Sequence, residues 1–336
     1  MPPAVPATEG SQKVSDLYAG IDLGGTKVAC ALGNTEDGIV ARTTIPTNSW
    51  EGSDRVLERI ADAVGGLVQE TGKRPKAAAM GVPGLADLQE GVTKLLPNLP
   101  GKWEGVDVRG GLQPRLECPV YLLNDVRSAT LAEFTFGRKR QVDTMALFAV
   151  GTGIGGGVVI GGELRLGPLG QAGELGHQIV VPDGPLCGCG NRGCLEALAS
   201  GTAITSEAVR LLIGGECPRL HELTGGDASK VDAGKVGEAA AGGDESMRWV
   251  LERAGYYIGI AACNVIVTIH PELVVIGGGV ARVGDLLLEP IRRTVAERLY
   301  MMPVEDIRIE PSVLGGDAGM LGALACAEGD GLIGAA

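Results

Sequence analysis

Short apolar runs that end at glycine pairs, separated by longer segments with helical spacing, dominate the pattern of this chain. Apolar runs bounded by turn residues predict β-strands, whereas apolar residues that recur every three or four positions predict helices. Strands are predicted over residues 17–23, 27–33, 39–45, 77–84, 120–125, 144–150, 272–279 and 307–314. Helices are predicted over residues 54–70, 126–136, 194–213, 245–269, 285–299 and 317–328.

The two halves of this pattern loosely repeat each other. In each half an apolar strand leads into a glycine turn and then a β-hairpin, with DLGGTK at Asp22–Lys27 and VGTGIGGG at Val150–Gly157. Strands followed by helices predict α/β lobes. We expect a loose tail over 1–16, an N-terminal α/β lobe over 17–135, a C-terminal α/β lobe with a cysteine-rich segment over 136–316, and a closing helix within 317–336. The pattern leaves open whether that helix packs back on the first lobe.

The composition is that of a folded, acidic protein of 336 residues with a net charge of −12. This charge, together with only 3% aromatic residues, disfavours binding to nucleic acid or to an anionic membrane. The N-terminal residues lack the apolar core of a secretory signal, and no apolar run approaches the roughly 18 residues of a membrane span. Three of the eight cysteines crowd into one segment, which indicates a metal site in a reducing compartment. We therefore expect a cytoplasmic protein with no nucleic-acid or membrane partner.

Three glycine clusters are candidates for phosphate binding. Gly151, Gly153 and Gly156 satisfy the spacing GxGxxG, but the residues that follow predict a hairpin and not the helix that a dinucleotide site needs. No Walker sequence occurs. The backbone amides of glycines can approach phosphate closely, and an aspartate at a strand end can hold Mg²⁺. The alternative is that these glycine clusters only form tight hairpin turns and bind no phosphate. The candidate nucleotide-binding residues are Asp22, Gly24, Gly25, Thr26, Lys27, Gly151, Thr152, Gly153, Gly277, Gly278 and Gly279.

One short segment has the ligand set of a zinc site. Cys187, Cys189 and Cys194 give the spacing C-x-C-x₄-C, and His177 lies ten residues upstream. Three thiolates and one imidazole complete a tetrahedral zinc site with no open position, which is typical of structural zinc. Buried reduced cysteines are the alternative.

In these features the chain resembles the ROK family of bacterial sugar kinases, and within it the zinc-containing glucokinases. The motifs lie in family order over about residues 17–328, and the Gly-His pair with CxCGxxGCxE is the most specific. They are DLGGTK (22–27), GVPG (81–84), PNLPGKW (97–103), LND (123–125), GTGIGGG (151–157), GELGH (173–177), CGCGNRGCLE (187–196), VIGGGV (275–280) and GGDAGMLGA (315–323). The resemblance implies a two-lobed, actin-like ATPase fold of the ribonuclease H-like class, with the active site in the interlobe cleft. It also implies phosphoryl transfer from ATP–Mg²⁺ to the 6-hydroxyl of a hexose, with glucose as the first candidate.

The resemblance also assigns roles to residues. Asp125 would be the general base, and its place between an apolar strand and a helix agrees with that role, although a helix N-cap is the alternative. His177 would bind zinc through one ring nitrogen and face the sugar with the other. The sugar-binding set would be Gly84, Asn98, Asn124, Asp125, Glu174, His177 and Glu196.

The chain departs from the family pattern around the catalytic pair. Leu123 stands where members often have an acidic residue, and Val126, Arg127 and Ser128 stand where they often read Ala-Asn-Ala. An arginine near the cleft is a candidate to alter the sugar preference.

Other functions stay open at this point. Zinc-containing relatives act on N-acetylmannosamine, fructose or allose, sugar-responsive repressors share the family core, and a zinc hydrolase is a further alternative. Family members are commonly dimers or tetramers, so a homodimer or homotetramer is expected. Because the nucleotide loops lie outside the zinc segment in the sequence, loss of zinc is expected to weaken sugar binding more than ATP binding.

Overall fold

The first of two five-stranded sheets is built from residues 18–124 of the chain. In this computed structural model, which describes residues 15–332 except 97, 98, 169 and 302, the strand order is β3-β2-β1-β4-β7. β1, β2 and β3 form an antiparallel meander, whereas β1, β4 and β7 run parallel and end at one edge. The strands are β1 (Tyr18–Leu23), β2 (Lys27–Asn34), β3 (Gly38–Pro46), β4 (Ala78–Val82) and β7 (Val120–Asn124). A small hairpin, β5 (Leu85–Asp87) and β6 (Val92–Leu95), follows β4.

The second sheet repeats this arrangement, with the order β10-β9-β8-β11-β12. β8, β9 and β10 pair antiparallel, and β8, β11 and β12 run parallel. Its strands are β8 (Met145–Val150), β9 (Ile154–Ile160), β10 (Glu163–Leu164), β11 (Leu273–Gly277) and β12 (Arg308–Pro311). The loose repeat in the sequence therefore corresponds to two sheets of the same topology.

Ten α-helices surround and separate the sheets in the described residues. They are α1 (Ser53–Thr71), α2 (Val108–Leu116), α3 (Asp125–Ala132), α4 (Leu195–Ala199), α5 (Gly201–Ile213), α6 (Pro218–Thr224), α7 (Ala233–Ala241), α8 (Glu245–Ile269), α9 (Asp285–Arg298) and α10 (Ala318–Glu328). α10 packs against β1, β2 and β4 of the first sheet and against α3. A Cβ on Gly20 of β1 would lie 2.8 Å from the backbone nitrogen of Leu324, so this glycine allows α10 to lie directly on the sheet.

The glycines after Ile154, which belong to the predicted glycine turn GTGIGGG (151–157), lie inside the strand β9. Their missing side chains make room for packing, because a Cβ on Gly155 would lie 2.6 Å from Val126 Cγ2. A Cβ on Gly157 would similarly lie 2.8 Å from Thr130 Cβ. Only residues 151–153 therefore form the turn, and the remaining glycines let α3 approach β9.

Several other elements differ from their predicted bounds. The helix predicted over 194–213 breaks into α4 and α5 at Ser200, whose hydroxyl caps α5 by accepting from the Ala203 amide (3.2 Å). The prediction missed α2, which contains two glycines and Pro114, as well as α6 and α7. α1 begins at Ser53, one residue before the predicted start, and its N-cap is Gly52. Most of the predicted tail, residues 1–14, lies outside the described residues.

α8 is long and apolar enough to cross a membrane by length and composition alone, which the sequence reading had not expected. Its most apolar window is 61% buried, and the helix packs along α9. A mostly buried core helix of a folded protein passes the same test, so this finding is weak evidence for a membrane span.

The chain crosses between the sheets twice, through residues 133–144 and 312–317, and the two crossings meet at Glu133. The Glu133 side chain is fully buried in a π-helical turn that continues α3. Its Oε1 accepts hydrogen bonds from the amides of Val313 (2.9 Å) and Leu314 (3.2 Å) and from the Ser312 hydroxyl. One carboxylate thus joins both connections between the lobes.

Candidate active site

Two half-buried carboxylates face one cavity between the sheets. Asp22 lies one residue before the end of β1, and Asp125 follows β7 as the first residue of α3. Both line a cavity to which Gly277 and Gly278, at the end of β11, also contribute. The carboxyl ends of parallel strands are the usual ligand-binding edge of an α/β sheet. Both sheets therefore bring predicted site residues to a shared cleft.

Burial makes both carboxyl groups weaker acids than usual. It raises the pKa of Asp125 to about 6, with a smaller rise from the negative charge of Asp22. The Val126 amide and the Arg127 guanidinium oppose this rise in the Asp125 pKa. Burial also raises the pKa of Asp22, although the Lys27 ammonium lowers it. A carboxylate with a pKa near 6 is ionised at neutral pH and basic enough to accept a proton.

Asn124, not Asp125, caps α3. Its Oδ1 accepts from the amides of Val126 (3.0 Å) and Arg127 (3.2 Å), which settles the N-cap alternative for Asp125. Its Nδ2 donates to the Gly84 carbonyl (3.0 Å), so the predicted sugar residues Asn124 and Gly84 are in contact. Gly84 has a φ of 150° and lies against the backbone of Leu95, where a side chain would collide. Asn98, the other predicted sugar contact from this region, lies outside the described residues.

The first glycine turn opens onto a second cavity that shares Asp22 with the first. Gly24 and Lys27 line it, together with Arg42 and Asp317, whose side chains form an ion pair (3.0 Å). Gly25 and Thr26 complete the turn between β1 and β2. In the second sheet, Gly278 has a φ of 86° and Gly279 leads into a short 3₁₀ helix.

The turn at residues 151–153 is held by the start of α5. The Gly201 amide donates to the Gly151 carbonyl (2.8 Å), and the Thr202 hydroxyl donates to the Thr152 carbonyl (2.8 Å). Sequence reasoning did not find these anchors, although the short polar run Ser-Gly-Thr at 200–202 is typical of a helix start.

The predicted zinc ligands converge on one point. The ligand atoms of His177, Cys187, Cys189 and Cys194 all lie within 4.8 Å of one another. The sulfurs of Cys189 and Cys194 are 3.7 Å apart, as are Cys187 Sγ and His177 Nδ1. Two sulfurs bound tetrahedrally at about 2.3 Å from zinc would be about 3.8 Å apart. The four side chains therefore fit a zinc ion, with Nδ1 as the histidine ligand.

Glu196 connects this cluster to the glycine turn. Its Oε2 accepts from the Ile154 amide (2.9 Å), and its Oε1 lies 3.6 Å from Cys187 Sγ. Gly153 lies against the same carboxylate, where a Cβ would collide with it. Segments that are far apart in the sequence are therefore joined by hydrogen bonds in the structure. The expectation that zinc loss weakens sugar binding more than ATP binding loses its geometric basis.

Arg127, which the sequence led us to expect near the cleft, is a buried side chain. Its side chain is 1% exposed, and its Nη2 donates to Glu174 Oε1 (2.8 Å). The sequence contains one indication of this burial. Arg127 and Leu131 are four residues apart and therefore share one face of α3, which is buried.

The comparison with known protein families decides the identity of the fold. The family model described as "ROK family" matches residues 18–330. The chain belongs to the ROK family. The predicted family and its two-lobed, actin-like ATPase fold are both confirmed.

Relatives and solved structures of this ROK protein agree over almost its whole length. A glucokinase from Thermotoga maritima is 37% identical over 90% of this chain and 95% of its own. The structure of a ROK hexokinase from Thermus thermophilus is 34% identical, with a TM-score of 0.79, and covers 94% of this chain and 98% of its own. A ROK glucokinase from Streptomyces griseus, solved with glucose and AMPPNP, is 30% identical, with a TM-score of 0.78, and covers 93% and 99%.

Other relatives of this ROK protein carry different names. An N-acetylmannosamine kinase from Escherichia coli is 31% identical over 92% of this chain and 98% of its own. A xylose repressor from Caldicellulosiruptor bescii is 29% identical over 93% of this chain and 78% of its own. Taken together, the matches support a sugar kinase of the ROK family.

Proposed function

We propose that the protein is an ATP-dependent hexokinase that phosphorylates glucose at the 6-hydroxyl to give glucose 6-phosphate. The observation that carries this proposal is the pair of half-buried carboxylates, Asp22 and Asp125, in one cavity between the two sheets. The glycine turns beside these carboxylates, and the glucokinases among the relatives, support the same reaction.

In this mechanism Asp125 is the general base. Its carboxylate accepts the proton of the sugar hydroxyl as the hydroxyl oxygen bonds to the γ-phosphorus of ATP. The bond from that phosphorus to the β–γ bridging oxygen breaks, and ADP leaves with the electron pair. The pKa near 6 leaves Asp125 ionised for this step at neutral pH.

Charge on the phosphates must be neutralised for the transfer. Asp22 would hold Mg²⁺, directly or through water, and a bound Mg²⁺ supplies that neutralisation. Lys27 and the backbone amides of the glycine turns would contact phosphate oxygens. These turns comprise residues 24–26, 151–153 and 277–279.

The sugar would be bound between the catalytic pair and the cysteine segment. Asn124, Glu174, His177 and Glu196 offer donors and acceptors for hydroxyl groups, and Gly84 and Asn98 complete the proposed set. With Nδ1 of His177 on a structural zinc ion, Nε2 is left to face the sugar.

An ADP-release assay with ATP–Mg²⁺ across hexoses and N-acetylhexosamines tests the proposal. Glucose should give turnover, and nuclear magnetic resonance should place the phosphate on C6. 6-Deoxyglucose, which lacks the acceptor hydroxyl, should inhibit competitively without releasing ADP. No turnover with glucose alongside strong turnover of N-acetylmannosamine, fructose or allose would keep the kinase and replace its sugar.

The same preparation tests the remaining proposals. We propose no nucleic-acid or membrane partner, and a gel shift with promoter DNA that showed specific binding would instead favour a repressor.

We also propose a homodimer or homotetramer, which light scattering would check. Aromatic side chains exposed on α8, namely Trp249 and Tyr256, support an assembly.

A further inference from the structure

Arg127 is the largest fully buried side chain in the part of the chain that the structure describes. It lies in the first turn of α3, between the two sheets, two residues after Asp125. Burial of a cation is costly unless partners replace its hydration, so the partners of this side chain indicate its role.

The guanidinium joins the start of α3 to the segment 171–174. Its Nε donates to the Ala172 carbonyl (3.0 Å), and its Nη2 donates to the Gln171 carbonyl (3.0 Å). Nη2 also donates to Glu174 Oε1 (2.8 Å), and Nη1 donates to Asn124 Oδ1 (3.3 Å). The fixed fork of arginine thus uses all three of its nitrogens, which a lysine ammonium could not reproduce.

Glu174 is held on one side only. Its Oε1 is paired with Arg127, and its side chain remains 37% exposed. The guanidinium itself is out of contact with solvent and cannot touch a ligand in the cleft. Any effect of Arg127 on sugar binding must therefore act through Glu174 and the segment that carries it.

We propose that Arg127 is a positioning residue for sugar binding, which fixes one oxygen of Glu174 and leaves the other for sugar hydroxyls. It also ties the segment 171–174 to the helix that begins with Asp125. This inference rests on the proposed function, because it takes Glu174 as a sugar-binding carboxylate. It assigns the effect of this arginine to orientation and not to direct contact with the sugar.

The expected effect is selective for the sugar. Loss of a charge-assisted hydrogen bond to Glu174 should weaken sugar affinity roughly ten- to hundredfold. Nucleotide affinity should change less than about threefold, because no described contact joins Arg127 to the glycine turns. Arg127→Lys should fall between the wild type and Arg127→Met, since lysine keeps the charge but not the fork.

Calorimetry should be run with the hexose that the wild type phosphorylates and, separately, with a non-hydrolysable ATP analogue. The variants are Arg127→Met, Arg127→Lys, Glu174→Gln and the double variant Arg127→Met/Glu174→Gln. If the two residues act as a unit, the double variant should bind sugar about as weakly as the worse single variant. Arg138→Lys, at another largely buried arginine with carboxylate partners, is the matched control and should leave sugar affinity unchanged.

Several outcomes would overturn the inference. Folded Arg127→Met with wild-type sugar affinity, additive losses in the double variant, or equal losses of sugar and nucleotide affinity would each do so. If Arg127→Met does not fold, the same cycle with Arg127→Lys decides between coupling and additivity. A wild type that binds no hexose would instead contradict the proposed function, and this inference with it.

Discussion

At the scale of single residues, Asp125 combines burial with the need to carry a charge. Its pKa rises to about 6 chiefly because the side chain is withdrawn from water next to Asp22. The Asn124 cap and the Val126 amide orient it at the end of β7. Removal of the Asp125 side chain from water makes its carboxylate a better base. It also makes the folded protein less stable when this carboxylate is ionised.

The first prediction is that kcat/KM for the sugar falls as the pH drops below about 6. A general base must be ionised to act, so protonation of Asp125 in the free enzyme removes activity with unit slope. A pH–rate profile measures this. Asp125→Asn should lower turnover about 10²–10⁴-fold, and the remaining activity should no longer fall below pH 6. An acidic limb near pH 4 would assign the base to another group.

The second prediction concerns stability. Because the folded pKa of Asp125 is raised, the group favours folding most below pH 4 and loses that contribution as the pH rises through about 6. Asp125→Asn should therefore be more stable than the wild type at pH 7, by about 3 kcal/mol. Urea unfolding at pH 7 and at pH 4 checks this, with the difference shrinking at pH 4. A destabilised variant at pH 7 would contradict it.

At the scale of elements, glycine placement decides how α3 meets β9. The third prediction is that Gly157→Ala destabilises the protein by about 1–3 kcal/mol, because the new methyl group meets Thr130. Gly66→Ala is the control, since Gly66 is exposed in α1 with no neighbour within 4 Å of its Cβ position. That change should stabilise by up to about 1 kcal/mol. Thermal unfolding measures the melting temperature of both variants. Equal shifts of the two melting temperatures would contradict the packing role of Gly157.

The fourth prediction concerns the cysteine segment. Cys189→Ser should lose the zinc ion and weaken the binding of both sugar and nucleotide, because Glu196 contacts both the cluster and the Ile154 amide. Native mass spectrometry measures the metal, and calorimetry the two affinities. Cys263→Ser, in α8, is the control and should keep one zinc per chain. Unchanged nucleotide affinity in zinc-free Cys189→Ser would show that the glycine turn does not need the metal.

The elements that sequence patterns predicted well are those whose apolar spacing is unbroken, such as α8 and the strands β1 and β7. α2 was missed because two glycines and Pro114 disguise its period, while Asp107 still caps it by accepting from the Gly110 amide (2.7 Å). The candidate site residues were recognisable by type and motif. Their connections, such as Arg127 to Glu174, could not be predicted, because they join residues far apart in the sequence.

At the scale of the whole molecule, Glu133 ties together the two crossings between the lobes. The fifth prediction is that Glu133→Ala costs about 3 kcal/mol or more, because the Val313 and Leu314 amides lose their acceptor. Glu310→Ala removes a more exposed partner of Arg138 and should cost about 1 kcal/mol or less. Urea unfolding compares the two variants. Equal losses would contradict a special role for the buried carboxylate.

The return of α10 to the first sheet has a consequence for how the chain is made. A ribosome releases β1 long before α10, and at about 5–20 residues per second the interval is roughly 15–60 s. During that time the face of β1 marked by Gly20 has no covering helix. The second sheet also lacks its last strand, β12, until residue 311, only six residues before α10 begins. We therefore expect both lobes to be completed near the end of synthesis, the second slightly before the first. The first lobe, although it is translated first, waits for almost the last residues of the chain and is the part that most needs protection by chaperones.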